Sequence, residues 1–235
     1  MGLETALRLR NQNKVTVIGQ EKVDEKGISC WNFDITAKHV CSNKLENIAE
    51  ENGKISDLLF FQRYRGKGDS WKGEIDTSLL ATKNIIEKLS TNFTTNETNS
   101  IVVINSLISR FISKEQPNSY HSVKAAIIQL VKYYAIKLGP KGIRVNSILL
   151  GTVVKERNKR YFKEHIETKR ILETLIPLGR LCTTSDVINM VEFLCSKKAS
   201  FITGQDLVID GGATLQWQES MVMDMIKQFK KETII

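Results

Sequence analysis

With 235 residues, 41% of them hydrophobic, the chain can bury one substantial core and fits one large domain better than two. No run approaches the ~20 consecutive apolar residues that a membrane-spanning helix needs, and Met1-Gly2-Leu3-Glu4 has no basic segment followed by an apolar one, as a secretory signal would. The net charge of +8 is spread among acidic residues without aromatic interleaving, which speaks for a solvated surface and against nucleic-acid binding.

In chain order, a helical pattern at 3–10 leads to a β-rich apolar run at 15–19 and a second run at 28–33. A helix is expected at 44–52, a strand at 58–61, a helix at 75–89 and a strand at 101–105, apolar throughout as in a sheet covered on both faces. The best-defined helix spans 120–138, where Val123, Ile127, Leu130, Tyr134 and Leu138 make one stripe; Gly139-Pro140 is expected to end it, with Gly139 as the left-handed cap. A strand at 144–150, helices at 166–175 and 185–196 and a strand at 206–209 complete the pattern. The alternation predicts βαβ units and a doubly wound parallel sheet in a single α/β domain over residues 1–235. The four cysteines Cys30, Cys41, Cys182 and Cys195 form no CxxC pair, which implies inert thiols in a reducing, cytoplasmic setting, and no metal centre is expected.

Three residues stand out for chemistry. Tyr120 and Lys124 lie four apart at the start of the long helix and share a face, and Ser106 follows the strand at 101–105, at the carboxyl end where open α/β sheets bind ligands. A phenol has an unperturbed pKa of ~10 and is a poor proton donor at neutral pH unless an ammonium beside it stabilises the phenolate. A serine hydroxyl opposite can hold a carbonyl. The set suits general acid catalysis on a carbonyl, although a YxxxK pair by itself is common on exposed helices.

Ser106 with Tyr120-His-Ser-Val-Lys124 resembles the catalytic segment of the short-chain dehydrogenase/reductase family. Gly139-Pro-Lys-Gly-Ile-Arg-Val-Asn-Ser147, Ile176-Pro-Leu-Gly-Arg180, Asp186 and Ile202-Thr-Gly-Gln-Asp-Leu-Val-Ile-Asp-Gly-Gly212 continue the likeness in order. Gly2 resembles the last glycine of the TGxxxGxG loop; the remainder of that loop and the family's first strand have no counterpart, so a gap is expected between the strands at 15–19 and 58–61, and an upstream start is the favoured explanation. Gln20 falls where members carry the residue that chooses NAD or NADP, the helix after it is cut to 21–26, and Asp34 and Ile35 resemble the adenine-contacting DVT segment. Phe61-Gln-Arg-Tyr64 stands in place of NNAG, Ser78 in place of the helix asparagine, Leu150-Gly151 in place of PG and Lys155 in place of a threonine.

The resemblance implies an oxidoreductase that exchanges a hydride between NAD or NADP and a carbonyl or secondary alcohol of a small-molecule substrate. Tyr120 would be the acid/base, Lys124 its partner and ribose ligand, Ser106 the carbonyl's anchor, and Gly2, Gln20, Asp34 and Ile35 would line the cofactor. A homo-dimer or homo-tetramer is implied, with no nucleic-acid or membrane partner. The basic cluster Lys155, Arg157, Lys159, Arg160 and Lys163 falls at the family's substrate insertion and suits an anionic substrate, or is an exposed charged loop. Met221, Met225 and Phe229 on one side of a tail helix are expected to pack on a neighbouring subunit. The alternative reading is a catalytically inactive relative that serves as a partner in an oligomer.

Overall fold

The computed structural model describes residues 1–95 and 99–232. Its strands are β1 (Val15–Gly19), β2 (Ile28–Asn32), β3 (Asp57–Phe60), β4 (Ser100–Ser106), β5 (Arg144–Leu150), β6 (Val153–Val154), β7 (Cys182–Thr183) and β8 (Asp206–Ile209). Its helices are α1 (Gly2–Leu9), α2 (Lys38–Asn52), α3 (Ser70–Glu74), α4 (Ala81–Leu89), α5 (Asn118–Leu138), α6 (Glu156–Glu164), α7 (Ile166–Thr174), α8 (Thr184–Cys195) and α9 (Gln218–Glu232). This is the expected α/β alternation. The chain forms two compact units, Met1–Leu149 with Met190–Leu207, and Leu150–Asn189 with Val208–Ile235.

In the first unit β1 and β2 pair in parallel, Val15 opposite Ile28 and Gly19 opposite Asn32. A second sheet runs β3-β4-β5-β8, with β3 parallel to β4 and Asp57 opposite Ser100. β1 does not join β3, so the strands expected to flank a gap stay in separate sheets and do not pair directly. Burial follows this division: every residue of β5 and all but the last of β4 are buried, whereas every residue of β1 is only half-buried. Burial on both faces fits the apolar runs 101–104 of β4 and 148–150 of β5, while the buried polar residues Asn105, Asn146 and Ser147 lie among them.

The long helix α5 buries Val123, Ile127, Val131, Tyr134 and Leu138 in the core, while Leu130 is half-buried at its edge. The Tyr134 hydroxyl donates to Glu87 of α4 at 2.9 Å, and burial together with that carboxylate holds the phenol well above its ordinary range. The helix does not end as expected. Gly139 is right-handed (φ −52°) and opens a short 3₁₀ turn with Pro140 and Lys141; the left-handed residue is Gly142 at φ +71°. Proline forbids the helix but accepts the tighter turn, and the reversal falls on the next glycine, the residue that enters this region without a Cβ penalty. Segment 21–26 is not a helix either. One apolar residue, Val23, among charged neighbours offers no face to bury, and so short a segment cannot repay helix nucleation.

Two other differences lie in the helices before β3 and β4. α2 begins at Lys38 rather than at 44. The helix expected at 75–89 begins at Ser70, because the Asp69 carboxylate accepts from the Trp71 and Lys72 backbone N–H groups at 2.8 and 3.3 Å. A π-helical stretch, Ile75–Leu80, then joins α3 to α4.

The segments that resemble Arg-Val-Asn-Ser and Ile-Thr-Gly-Gln-Asp are stitched together. Asn146 donates from Nδ2 to the Ile202 carbonyl at 2.9 Å and accepts from the Gln205 N–H at 3.0 Å, the Thr203 hydroxyl accepts from the Val145 N–H at 3.1 Å, and Ser147 donates to Asp206. At the amino ends of β3 and β5, burial raises the Asp57 and Cys195 pKa values and lowers that of Arg144, whose guanidinium nitrogens have no hydrogen-bond partner among the described residues.

In the second unit β6 and β7 pair in parallel and α9 lies along α7. Met221 and Met225 are half-buried within the chain itself, and Val222, Met223 and Ile226 are the exposed apolar residues of α9; the Phe229 side chain lies outside the described part. No helix among the described residues is long and apolar enough to cross a membrane.

Asn146 is fully buried and serves two backbone groups of another segment. Asn146→Ala removes both of these part-buried hydrogen bonds and should lower the unfolding free energy by about 1–3 kcal/mol, read from urea unfolding at unchanged m-value.

Candidate active site

β4 delivers its last residues to the start of α5. Asn105 is buried and donates from Nδ2 to the Lys124 backbone carbonyl at 3.1 Å, which ties the strand end to the second turn of the helix. Ser106 follows in extended conformation, half-buried, its hydroxyl oxygen accepting from the Ile108 N–H at 3.3 Å. The 3₁₀ turn Leu107–Ser109 packs against α5. His121 braces the loop from the helix side, accepting at Nε2 from the Ser113 N–H at 3.0 Å.

Tyr120 and Lys124 are both buried, at 7% and 3% exposure, and the Lys124 ammonium lies 5.6 Å from the centre of the Tyr120 ring. Among the described residues no carboxylate lies within ion-pair distance of that ammonium. Burial lowers its pKa to about 8; the buried Glu74 opposes the shift and Arg63 adds to it. The structure therefore brings together the two helix residues read from the sequence, and it ties Asn105, the residue before Ser106, to the Lys124 backbone carbonyl.

Residues not singled out as functional complete the surroundings. The exposed Arg63 places its guanidinium carbon 4.4 Å from the Tyr120 ring centre, and its Nη2 donates to Gln116 at 2.9 Å. Tyr64 covers two glycines: a Cβ on Gly66 would stand 2.4 Å from the Tyr64 hydroxyl oxygen, and one on Gly73 2.3 Å from the ring. Only glycine admits the ring there. Ser78, buried in the π-helical stretch, donates to Glu74 at 2.8 Å, while Gln62 donates to Thr82 at 2.6 Å and Thr82 to the Ser78 carbonyl at 2.7 Å. A π-helical stretch interrupts the helix at this set of contacts, as such irregularities often do near functional sites. The substitution of NNAG by Phe61-Gln-Arg-Tyr64 is the signal that points to Arg63; Glu74 has none, because its burial depends on how α3 meets α5.

The remaining expected residues sit at strand ends and helix starts. Gly2 opens α1, and a Cβ there would come within 3.3 Å of the Phe61 side chain just past β3. Gln20 is exposed directly after β1. Asp34 is exposed after β2, its Oδ1 accepting from both the N–H and the hydroxyl of Thr36 at 2.8 Å, and Ile35 packs against the core. Because β1 and β2 are parallel and Gly19 opposes Asn32, Gln20 and Asp34 follow the same end of their sheet.

In the second unit the basic cluster is a helix and not a loop. Lys155 precedes α6 as its N-cap, Phe162 is buried and anchors it, and Tyr161 stacks on His165 at 4.3 Å. The spacing that set charges on one side also set Phe162 on the other, so the segment had a face to bury. Glu156 and Glu164 pair with Lys159 and Arg160 at 3.4 and 2.6 Å. Arg180 meets Asp186 with two bonds, 2.7 and 2.9 Å, and together with Thr183 holds that carboxyl far below the usual range. Asp210 accepts from Gly212, and from both the N–H and the hydroxyl of Thr214, closing the turn after β8.

A family model described as enoyl-(acyl carrier protein) reductase matches residues 20–214. Isoepoxydon dehydrogenase of Penicillium expansum is 29% identical over 188 residues, covering 77% of this chain and 71% of that protein. The 3-oxoacyl-[acyl-carrier-protein] reductase FabG of Staphylococcus aureus is 33% identical over 148 residues, 63% of this chain and 58% of that protein. L-rhamnose 1-dehydrogenase (NAD(P)(+)) of a Sphingomonas species is 38% identical over 119 residues, 51% and 46% of the two chains. Among solved structures, a short chain dehydrogenase family protein from Francisella tularensis superposes with a TM-score of 0.75 at 27% identity, covering 91% of this chain and 94% of that one. The ligand-free aldohexose dehydrogenase of Thermoplasma acidophilum superposes with 0.80 at 23% identity, covering 92% and 91%, a likeness of fold. With the parallel strands, the buried Tyr120–Lys124 pair at the head of α5 and the match across residues 20–214, the chain belongs to the short-chain dehydrogenase/reductase family.

Proposed function

We propose that Tyr120 is the general acid and base of a reversible carbonyl reduction, with Lys124 as its electrostatic partner and Ser106 as the anchor of the reacting oxygen. The observation that carries this reading is the burial of Tyr120 and Lys124 side by side at the head of α5. As a member of its family the chain is an NAD(P)-dependent oxidoreductase.

The residues present fit such a cofactor. Among the described residues the buried Lys124 ammonium has no ion-pair partner and the buried Asn105 Oδ1 no hydrogen-bond partner, and both suit the hydroxyls of a ribose. Lys124 would hold that ribose, Asp34 and Ile35 the adenine, Gln20 the adenine-side ribose, and Gly2 at the start of α1 the phosphates. The bound dinucleotide supplies or accepts the hydride. The Tyr120 hydroxyl gives its proton to the carbonyl oxygen on reduction and takes it back on oxidation. The Lys124 charge stabilises the negative charge left on the Tyr120 oxygen, and Ser106 donates to the carbonyl so that its carbon is correctly placed.

A small anionic substrate is part of this reading, supported by Arg157 and its basic neighbours on the exposed side of α6. A cytoplasmic setting is supported by four cysteines that are all free. A homo-dimer or homo-tetramer is supported by Tyr133 and Ile136, which α5 leaves exposed at 58% and 80%. The separation of β1 and β2 from the main sheet favours a second reading, a non-catalytic partner in an oligomer. Saturable NADH or NADPH binding by the purified chain, followed by cofactor fluorescence, decides for the enzyme; no binding decides for the partner.

Tyr120→Phe should lower kcat by ~10²–10⁴-fold with an unchanged melting temperature, because only the hydroxyl is lost. Lys124→Met should do the same and also weaken cofactor binding. Retention of near-normal turnover by Tyr120→Phe would assign the proton transfer to another group.

The charge on Lys124 is present below its pKa of about 8 and lost above it, so reduction should decline as pH rises through that value. Glu74 is the nearby group that favours the charged form; Glu74→Gln keeps the acceptor for Ser78 and should move the decline to lower pH. A pH–rate profile checks both.

Changing Lys155, Arg157, Lys159 and Arg160 together to Glu should raise KM most at low ionic strength, since exposed charges are screened beyond ~8 Å at physiological salt. An unchanged KM at low salt removes α6 from substrate attraction.

A further inference from the structure

Tyr120 is flanked by two cations, Arg63 at 4.4 Å and Lys124 at 5.6 Å from the ring centre. The carboxylate acting on Lys124 is that of Glu74, which is buried and bonded by Ser78. Among the described residues no carboxylate pairs with Arg63, whose one hydrogen bond is to the neutral Gln116. The ring that carries the reacting hydroxyl thus lies in a locally positive setting. The exposed member of the pair is a guanidinium, with five N–H donors in a rigid fork, of which Gln116 uses one. The side chain is held by the phenol face on one side and by Gln116 on another.

We propose that Arg63 is a specificity-determining residue that binds the carboxylate of a substrate whose reacting carbonyl is one or two carbons away. The proposal rests on the carbonyl chemistry assigned above to Tyr120 and adds the substrate class, a 2-oxo or 3-oxo acid or the corresponding hydroxy acid. The Arg63 guanidinium carbon lies 4.4 Å from the centre of the ring that carries the Tyr120 hydroxyl, so a carboxylate held by Arg63 at ~2.8 Å and a carbonyl oxygen accepting from that hydroxyl at ~2.7 Å are placed on one small ligand. That separation suits adjacent or next-but-one carbons and is too short for a remote charge. Arg63 is distinct in this from the α6 cluster, which lies in the other unit.

The test compares acetoacetate with its uncharged methyl ester. Binding of each to the full chain is measured by saturation-transfer NMR, with and without NADPH, for the parent, Arg63→Met and Arg63→Lys. The expected result is tighter binding of acetoacetate than of methyl acetoacetate by the parent, a ~10–100-fold loss for acetoacetate in Arg63→Met, and an ester affinity that does not change. Arg63→Lys should recover part of the loss, since charge returns without the fork. Equal binding of acid and ester by the parent, no saturable acetoacetate binding, or an equal loss for both ligands in Arg63→Met overturns the proposal. A weakened NADPH affinity in Arg63→Met with the acid-to-ester ratio intact assigns the guanidinium to the cofactor's phosphates and also overturns it. If acetoacetate binds through Arg63 but no oxo acid is reduced with NADH or NADPH, the carbonyl-reduction reading fails while the binding assignment stands. Unchanged thermal unfolding of the variants shows that the fold is not what moved.

Discussion

The site depends on burying an ammonium. Lys124 is almost wholly removed from water on a helix whose neighbouring turns fill the apolar core, and a charge in such a place is costly unless it is compensated. Burial lowers its pKa to about 8; Glu74, on the helix that packs against α5, opposes that fall in part, and Arg63 adds to it. A lysine so placed is charged at neutral pH yet close to releasing its proton, which is the condition in which it can respond to a change of charge on the neighbouring phenol.

The rigidity that makes this arrangement useful comes from elements with no chemistry of their own. Asn105 pins the end of β4 to the Lys124 carbonyl, His121 holds the loop after Ser106, and α5 is anchored along its length by Val123, Ile127, Val131 and Tyr134. β5 is buried from end to end and β4 up to Asn105, and together they set the floor. The half of the first unit that would meet the adenine end of a dinucleotide is built differently: β1 and β2 form their own small sheet, and β1 is half-exposed throughout. Burial is concentrated where proton transfer is proposed and is lower where the cofactor's remote end would lie.

Most of the secondary structure was legible because its cause is local. The apolar runs at β4 and β5, the 3.6-residue stripe of α5 and the alternation of the two types follow from which residues must leave water. The failures have local causes as well. Segment 21–26 had helix-compatible residues but no face to bury, the basic segment after Lys155 had a buried face supplied by Phe162, and the left-handed turn moved from Gly139 to Gly142 because Pro140 admits a 3₁₀ turn first. The Asp69 cap that starts α3 early is a local signal too, an Asp directly before the helix.

The sequence by itself determined the α/β order, the pairing of Tyr120 with Lys124 one helical turn apart and the position of Ser106 at a strand end, because each follows from spacing along one element. Only the tertiary structure decided that Arg63 stands over the Tyr120 ring, that Glu74 is buried within electrostatic reach of Lys124, that Tyr64 lies on Gly66 and Gly73, and that β1 does not join β3. Those are contacts between elements far apart in the chain, set by how helices and strands pack, and no periodicity within a single segment encodes them.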